Sequence, residues 1–400
     1  MKIITDKKRI EEIFDRGIVV EILPSKGEFF ARLLSGDRLR IYIGADPTST
    51  ALHLSHAKNY LFLEELRQLG HEVILLIGDF TARIGDPTGR GDTRPQLTEA
   101  EVAANVQGWI SQITPLMDFA DKENPPKILY NSAWLAQLSL QDVVGLAAQF
   151  TVQQMLERDM FAKRWDAHTP IHLHEFLYPL MQGYDSVAME VDVELCGRDQ
   201  IFNALAGRTL LKRLKNKEKF VVAVNLMENP ITGELMSKSK GTGVFLSSPP
   251  AEMYGAIMAQ PDEMIEVLFL NNTRIPLSEK DALMERGPRD AKAYIAHDIV
   301  RRLFGEAKAQ QAEEAFNKAF RSGGVPDEIP EILLEHGASL VEKLIEQKIV
   351  SSKTEWRRLI DEGAVCDEYN QRIRDPDVMP DGGEMILKIG KRRFVRVVVS

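Results

Sequence analysis

A strand, a polar turn and a helix follow one another directly in residues 40–56, R-I-Y-I-G-A-D-P-T-S-T-A-L-H-L-S-H. Residues 39–43 are β-branched and aromatic, which favours a buried strand, and residues 46–49 are typical of a tight polar turn. Apolar residues at helical spacing come next, so His53 and His56 lie at the beginning of a helix. Open α/β sheets bind ligands at such a strand end, where unpaired N–H groups favour phosphate. The segment therefore predicts a ligand site.

Further apolar runs extend this strand into a sheet. Residues 73–77 are apolar throughout, as in a strand covered on both faces, and further segments that read as strands follow at 127–130, 191–195 and 220–226. Strands that alternate with helices predict right-handed βαβ units. We therefore expect an α/β fold with a Rossmann-like doubly wound parallel sheet, onto which the mostly helical residues 1–38 pack.

Two D-P-T triplets, at 46–48 and 86–88, each follow a strand end. The second belongs to a glycine-rich stretch, G-D-F-T-A-R-I-G-D-P-T-G, that resembles a phosphate loop. The spacing of a Walker A loop, Gly-x-x-x-x-Gly-Lys-Ser/Thr, is absent from it. Because neighbouring parallel strands end at the same edge of a sheet, both polar loops are expected side by side there.

The helix predicted within residues 172–189 carries a polar stripe. Tyr178, Gln182 and Asp185 recur at i, i+4 and i+7, and apolar residues fill the other faces. Buried polar groups without partners cost about 1–3 kcal/mol each, so such a stripe needs hydrogen-bond partners. It indicates a pocket for a small polar ligand, with a solvated helix face as the alternative.

Neither histidine group of the sequence predicts a metal site. His53 and His56 have H-x-x-H spacing, and His168, His172 and His174 form a second group. Both groups lack the cysteine or carboxylate ligands that usually complete such a site. We expect no metal held by the protein.

Length and composition predict several domains. Residues 1–245 contain the strands of the predicted sheet, and residues 246–325 are helical and charged. After the linker S-G-G-V-P, residues 336–400 read as a small α+β unit. Within the first domain, residues 115–170 form an insertion with exposed-looking apolar residues such as Met155 and Phe161; we interpret it as a dimer interface, with ordinary core as the alternative. The sequence L-M-S-K-S-K-G, at the end of the first domain, predicts a mobile cationic loop.

Charge and cysteine usage limit the possible partners. The net charge is −9, so any contact with nucleic acid must use local basic patches. Such a patch is predicted in the tail, with a solvated basic face as the alternative; its residues are Arg357, Arg358, Lys391, Arg392 and Arg393. The sequence contains no run of eighteen apolar residues, no apolar leader near its start, and two distant cysteines. We expect a cytoplasmic protein with no membrane or DNA partner.

These motifs together resemble a known family. H-L-S-H at 53–56 and L-M-S-K-S at 235–239 resemble the HIGH and KMSKS signatures of class I aminoacyl-tRNA synthetases. Between them, Y-x-G-x-D-P-T, the glycine-rich stretch, Y-P-L-M-Q-G-Y-D and G-R-D-Q resemble bacterial tyrosine–tRNA ligases in order and spacing. The tail resembles their S-four type RNA-binding domain, so the likeness covers essentially the whole chain.

The resemblance implies a homodimeric tyrosine–tRNA ligase that forms tyrosyl-adenylate and pyrophosphate from tyrosine and ATP with Mg²⁺, and then charges tRNA(Tyr). It implies an all-α anticodon-arm domain after the catalytic domain. The implied tyrosine-binding residues are Tyr42 and Asp185 at the phenol OH, Thr81, Asp86, Tyr178 and Gln182 at the ammonium group, and Gln200 near the carboxylate. The implied adenosine-binding residues are Gly44, Asp46, Gly197 and Asp199. The residues implied to face the ATP phosphates are Thr48, His53, His56 and Lys238, with Met236, Ser237 and Ser239 in the loop that closes over them.

This reaction requires no nucleophile from the protein, because the carboxylate of tyrosine attacks the α-phosphate. Catalysis then consists of positioning and of stabilising negative charge on phosphate oxygens. We expect His53, His56 and Lys238 to act as a cluster of cationic donors. By analogy with an oxyanion-hole donor, removing one is expected to cost roughly 3–4 kcal/mol of barrier.

Three positions depart from the family pattern. Ser55 and Cys196 stand where glycine is expected, and Leu235 stands where lysine is expected. None of these removes a catalytic group, so we still expect activity. The alternatives are the sibling tryptophan enzyme, disfavoured by Tyr42 with Asp185 and by the tail domain, and an RNA-binding protein on an inactive synthetase scaffold.

Overall fold

The computed structural model describes residues 2–86, 97–236, 242–321, 329–334, 339–347, 349–367, 372–376, 378, 384–390 and 393–399. The chain divides into two compact units, Met1–Glu306 and Ala307–Ser400. Among the helices in these ranges, none is both long enough and apolar enough to cross a membrane.

A mixed sheet forms the centre of the first unit. Its strands are β1 (Val19–Leu23), β2 (Arg40–Ala45), β3 (Glu72–Ile77), β4 (Lys127–Tyr130), β5 (Val193–Gly197) and β6 (Phe220–Val224). They lie in the order β1-β6-β5-β2-β3-β4, and all neighbours from β6 to β4 are parallel. The predicted parallel sheet is confirmed. β1 adds an antiparallel edge to it, although it belongs to a segment predicted to be mostly helical; its five residues are interrupted by Glu21, so their periodicity is weak.

Helices alternate with these strands and then continue alone. They are α1 (Lys7–Phe14), α2 (Lys26–Leu34), α3 (Leu54–Gln68), α4 (Thr81–Ile84), α5 (Glu99–Ile113), α6 (Ser132–Leu135), α7 (Leu140–Ala147), α8 (Val152–Leu156), α9 (Asp159–Asp166), α10 (Tyr178–Met189), α11 (Ile201–Lys215), α12 (Pro250–Met258), α13 (Met264–Asn272), α14 (Lys280–Met284) and α15 (Pro288–Phe304). α12 to α15 belong to the first unit. One reason is Arg16, whose buried guanidinium donates to the carbonyls of Phe269, Leu270 and Ile275 at the end of α13.

Local capping residues explain where several of these helices begin. The spacing of Thr98 and Glu101 predicts a capping box, and the two residues form one reciprocally at the start of α5. The sequence of residues 151–165 predicts one helical segment, and the structure has two helices there, α8 and α9. Arg158 adopts an extended backbone between them, and its guanidinium lies 3.5 Å from Asp86 Oδ1. Met155 and Phe161, predicted to be exposed, are buried, since the divided helix folds them inward.

The second unit is an α+β structure. Its elements are α16 (Glu306–Arg321), which begins at the last residue of the first unit, β7 (Glu331–Leu334), α17 (Leu340–Glu346), α18 (Lys353–Asp361), β8 (Val365–Cys366), β9 (Glu384–Ile389) and β10 (Arg393–Val399). The strands lie in the order β7-β10-β9-β8. Trp356, Leu344 and Leu387 are central to its apolar core. The assignment of three functional domains stays a prediction.

Candidate active site

A cavity of about 340 Å³ opens at the carboxyl edge of the parallel sheet, beside β2 and β5. Parallel neighbours end at the same edge, so loops that are distant in sequence meet there. Of the residues predicted to bind tyrosine or ATP, the cavity is lined by Tyr42, Gly44, Asp46, Thr48, His56, Thr81, Asp86, Tyr178, Gln182, Asp185, Gly197, Asp199 and Gln200. Two predicted residues, His53 and Met236, are described but do not line it. Ser237, Lys238 and Ser239 lie outside the described residues.

The polar turn after β2 is held in place by α5. Trp109 Nε1 donates to the Ser49 carbonyl across 2.6 Å, and Asn105 Nδ2 donates to the Pro47 carbonyl across 2.7 Å. The side chains of one helix thus satisfy backbone acceptors of the turn. Thr48 at the cavity wall is positioned by these contacts on both sides of it.

The two polar loops are joined to α10 by one carboxylate. Thr81 Oγ1 donates to Asp46 Oδ1 across 2.6 Å, and the Tyr178 hydroxyl donates to Asp46 Oδ2 across 2.8 Å. Asp46 and Thr81 follow neighbouring strands, so their proximity agrees with the expectation that both loops share one edge. Burial raises the pKa of Tyr178 well above its ordinary value, and Asp46 adds to this effect. Tyr178 is therefore a neutral donor.

Asp185 belongs to the same group of hydrogen-bonded side chains as Asp46 and Thr81. Trp134 Nε1 donates to its Oδ1 across 2.7 Å, and Asn131 Nδ2 lies 3.3 Å from its Oδ2. Asn131 Nδ2 also lies 3.0 Å from Thr81 Oγ1, which connects Asp185 to Asp46. Burial raises the pKa of Asp185 well above its ordinary value, while the Trp134 and Asn131 donors act in the opposite direction.

Tyr42 is fully buried at the base of the cavity. Its hydroxyl lies 3.0 Å from Ser186 Oγ. Burial, and then the nearby carboxylates of Glu194 and Asp185, raise the pKa of Tyr42 well above its ordinary value. The phenol is therefore protonated at any physiological pH and serves as a hydrogen-bond donor.

Two further side chains complete the wall at Asp86. Gln200 Nε2 donates to Asp86 Oδ2 across 2.8 Å, and the Arg158 guanidinium lies 3.5 Å from Asp86 Oδ1. Asn203 Nδ2 donates to both Gln200 Oε1 and Gln182 Oε1, at 2.8 Å and 2.9 Å. The amide side chains that face the cavity are consequently fixed in orientation.

The histidines differ from the cationic donors that we expected. Burial lowers the pKa of His53 to about 4. Burial, followed by the charges of His53 and Lys58, lowers the pKa of His56 to about 3. Both rings are therefore neutral near pH 7. His56 Nδ1 accepts the backbone N–H of His53 across 3.2 Å, so its proton is on Nε2, and this N–H can still donate to an anion.

Asn131, Trp134 and Glu194 belong to this site but were missed by the sequence reasoning. Asn131 directly follows β4, just as Asp46 follows β2, so its place after a strand end was an available signal. The sequence contained no comparable signal for Trp134 or Glu194. Glu194 is the one acidic residue of an otherwise apolar strand, V-E-L-C-G, and its role depends on partners from other segments.

The predicted basic patch of the tail is only partly described. Arg357 and Arg358 are exposed on α18, and Arg358 Nε lies 3.8 Å from Glu362. Arg393 is bound internally, to Glu355 at 3.3 Å and to the Ile349 carbonyl. Lys391 and Arg392 lie outside the described residues.

Comparison with known proteins gives consistent results. Residues 34–321 match the family described as tRNA synthetases class I (W and Y). The chain is 40% identical to a tyrosine–tRNA ligase of Carboxydothermus hydrogenoformans over 99% of both chains. It is 41% identical to a tyrosine–tRNA ligase of Thermotoga maritima over 95% of both chains.

Solved structures share the fold at lower identity. A truncated mitochondrial tyrosyl-tRNA synthetase of Aspergillus nidulans superimposes with a TM-score of 0.67 at 22% identity, covering 78% of this chain and 94% of that chain. The tyrosyl-tRNA synthetase of Archaeoglobus fulgidus, solved with L-tyrosine, superimposes with a TM-score of 0.60 at 19% identity, covering 77% and 100%.

Proposed function

The chain belongs to the class I tRNA synthetases of the tryptophan and tyrosine group, with the activity of a tyrosine–tRNA ligase, and we propose that it activates tyrosine in the cavity described above. The overall reaction joins tyrosine to tRNA and consumes ATP. One observation carries the proposal: all seven residues predicted for tyrosine line one continuous cavity together with six of those predicted for ATP, namely Gly44, Asp46, Thr48, His56, Gly197 and Asp199.

Tyr42 and Asp185 recognise the phenol group in this proposal. Both side chains are buried and lie close enough for the Asp185 charge to raise the pKa of Tyr42. Tyr42 donates a hydrogen bond to the phenol oxygen, and Asp185 accepts one from the phenol O–H. A site built in this way rejects an analogue without the hydroxyl, because its buried polar groups would be left unpaired; tyrosine enzymes are themselves the known example of this effect.

The polar groups along the middle of the cavity hold the amino acid backbone. Asp86 supplies a carboxylate for the ammonium group, with Thr81, Tyr178 and Gln182 around it. Gln200, which is fixed by Asn203, is assigned to the substrate carboxylate. This arrangement positions that carboxylate for attack on the α-phosphate, and such positioning is a large part of catalysis for two bound reactants.

ATP occupies the remaining part of the cavity. Gly44, Asp46, Gly197 and Asp199 are assigned to adenosine; a side chain at Gly197 would collide with Asp199, which supports a close approach of the nucleotide. Thr48, His53, His56 and Lys238 are assigned to the phosphates, and Met236, Ser237 and Ser239 to the loop that closes over them. His56 lines this wall and donates from Nε2, and α3 adds the N–H groups of its first turn. Mg²⁺ would enter with the ATP phosphates.

We also infer that the chain works as a homodimer in the cytoplasm and binds tRNA(Tyr) through its tail. The insertion exposes large apolar side chains, namely Leu140, Val144, Val152 and Trp165. Such a group is unusual on a surface that faces water and is typical of an interface. For the tail, Arg357 and Arg358 remain the described candidates for phosphate contacts.

Tyrosine-dependent exchange between ATP and pyrophosphate tests the proposal. We expect exchange with tyrosine and none with tryptophan. Asp185→Ala should reduce the preference for tyrosine over phenylalanine by at least tenfold, whereas Asp37→Ala, a change of an exposed aspartate, should leave it unchanged. An Asp185→Ala enzyme that folds and still discriminates as well as the unmodified protein would refute the pocket assignment.

A further inference from the structure

A buried ion pair lies behind the phenol end of the cavity. Lys219, directly before β6, and Glu194, on β5, have side chains that are 0% and 2% exposed, and Lys219 Nζ contacts Glu194 Oε2. Removing two charges from water is costly, and a buried pair is often no more stabilising than apolar residues of the same size. Stability alone therefore gives little reason for a pair at this place.

Glu194 connects the pair to the substrate-facing amide. It lines the cavity, and its Oε1 accepts a hydrogen bond from Gln182 Nε2 at 3.0 Å. The carbonyl oxygen of the same amide accepts from Asn203 Nδ2 at 2.9 Å. Gln182 is thus held from both ends and cannot reverse its amide without losing both bonds.

Lys219 connects the pair to Tyr42 through Ser186. Lys219 Nζ donates to Ser186 Oγ across 2.9 Å, and Ser186 Oγ lies 3.0 Å from the Tyr42 hydroxyl. An ammonium group only donates, so it occupies a lone pair of the serine oxygen. Either hydroxyl can be the donor between Ser186 and Tyr42, and the serine also faces Glu194 Oε2 as a donor at 3.4 Å. When the serine proton is directed to Tyr42, the proton of Tyr42 is left for the cavity.

The backbone nearby leaves room for this arrangement. A Cβ at Gly207 would lie 2.6 Å from Lys219 Nζ and 2.8 Å from Ser186 Oγ. Such distances are too short for any side chain, so a glycine is required while the ammonium group stays in place. Lys219 Nζ also lies 6.0 Å from the centre of the Tyr42 ring, so the charge is close to the phenol in addition to being linked to it.

We propose that Lys219 and Glu194 are positioning residues for substrate selection, acting through Ser186 on Tyr42 and directly on Gln182. Lys219 donates to both acceptors beside Tyr42, Ser186 Oγ and Glu194 Oε2, and so weakens them as competitors with the substrate for the Tyr42 proton. The pair thereby keeps the Tyr42 donor directed at the phenol oxygen of tyrosine. This inference rests on the proposed role of Tyr42 in recognising the phenol.

The test compares activation of tyrosine and phenylalanine, as the ratio of their kcat/KM values in exchange assays. The double variant Lys219→Met with Glu194→Gln removes both charges at similar volume. We expect the ratio to fall at least tenfold, with KM for ATP within twofold of the original. Ser186→Ala breaks the same link without changing a charge and should lower the ratio similarly. Combining all three changes should lower it no further than the larger single effect, because the residues act along one path.

Two controls give each outcome a meaning. Arg164→Met with Glu175→Gln removes another buried ion pair, joined at 2.5 Å and 3.0 Å, and should leave the ratio unchanged. Tyr42→Phe should lower it. If Tyr42→Phe lowers the ratio while the Lys219 and Glu194 double variant and Ser186→Ala do not, the inference is wrong and the pocket assignment stands. If Tyr42→Phe has no effect either, the pocket assignment itself fails. Should the double variant not fold, Ser186→Ala alone decides between these outcomes.

Discussion

Thr81 and Asp46 are joined by a hydrogen bond of 2.6 Å that connects the loops after β2 and β3. Gly78 makes this bond possible, since a Cβ at that position would collide with both side chains. The second oxygen of Asp46 is held by the Tyr178 hydroxyl. A carboxylate from the first loop is therefore fixed by donors from α4 and α10 before any substrate binds, which reduces the ordering that binding must accomplish.

Replacing Thr81 by valine tests the value of this bond. Valine keeps the shape and loses the donor, and a hydrogen bond to a charged group contributes about 1.5–3 kcal/mol. We expect kcat/KM for tyrosine in the exchange assay to fall at least tenfold, with little change in Tm. Thr114→Val, which removes an exposed hydroxyl bonded to the Ile110 carbonyl, is the matched control. Equal kinetics for the two variants would contradict the prediction.

The neutral histidines predict a specific pH dependence. With pKa values of about 4 for His53 and about 3 for His56, neither ring gains a proton as the pH falls from 8 to 5.5. We expect the pH profile of kcat/KM, which reports ionisations of the free enzyme, to contain no step from these rings near pH 6.5. The ATP phosphates titrate in the same range, so the profile should be compared with that of His56→Gln. A step near pH 6.5 that disappears in His56→Gln would show the prediction to be wrong.

Lys58 gives a prediction for stability. It is 2% exposed and donates to Asn59 Oδ1, and burial lowers its pKa from 10.5 to about 7, with Asp199 acting in the opposite direction. The unfolded chain holds this proton up to about pH 10.5 and the folded chain releases it near pH 7, so stability rises with pH between these values. The cost of burying the charge, about 1.4 kcal/mol per unit of pKa, is fully present below pH 7.

We therefore expect Lys58→Met to raise Tm at pH 6.5 and to raise it much less at pH 9.5. Thermal unfolding at both pH values measures this difference. Lys7→Met, at a side chain that is 71% exposed, should change Tm little at either pH. If Lys58→Met raises Tm by the same amount at both pH values, the charge of Lys58 does not destabilise the folded state.

Much of the sheet and of the cavity could be predicted from local sequence. Apolar runs such as residues 73–77 indicate parallel strands, and the helical spacing of Tyr178, Gln182 and Asp185 places them on one face of α10, where the structure has them. These features depend on periodicity alone. Periodicity does not predict the chemical roles of these residues. Those roles were inferred from the resemblance to a known family.

Other features depend on contacts between distant segments and could not be predicted. Trp134 reaches Asp185 because β4 lies next to β3, and Lys219 meets Glu194 because β6 lies next to β5. The charge state of His56 is set by how deeply it is buried, which the sequence does not specify. Sequence reasoning thus predicted the residues that face the cavity more successfully than the residues that orient them.

The proposed dimer is tested by charges placed on its apolar surface. Leu140 and Val144 are 80% and 59% exposed on α7. We expect Leu140→Glu with Val144→Glu to shift the protein from dimer to monomer in light scattering after size-exclusion chromatography, because a desolvated carboxylate opposes association. Val20→Glu, on the exposed side of β1, is the control. A dimer of unchanged affinity would place the interface elsewhere.

The tail arginines are tested by separating the two half-reactions. Arg357→Glu with Arg358→Glu should leave tyrosine-dependent exchange unchanged, since adenylate formation is assigned to the first unit, and should reduce charging of tRNA at least tenfold at physiological salt. Losing phosphate contacts should also weaken the salt dependence of tRNA binding, by roughly 0.7–0.9 in logarithmic slope for each contact. Lys7→Glu with Lys8→Glu makes the same change in charge on α1 and should affect charging little. If both double variants lose charging equally, the effect is that of net charge, and α18 is not a tRNA-binding surface.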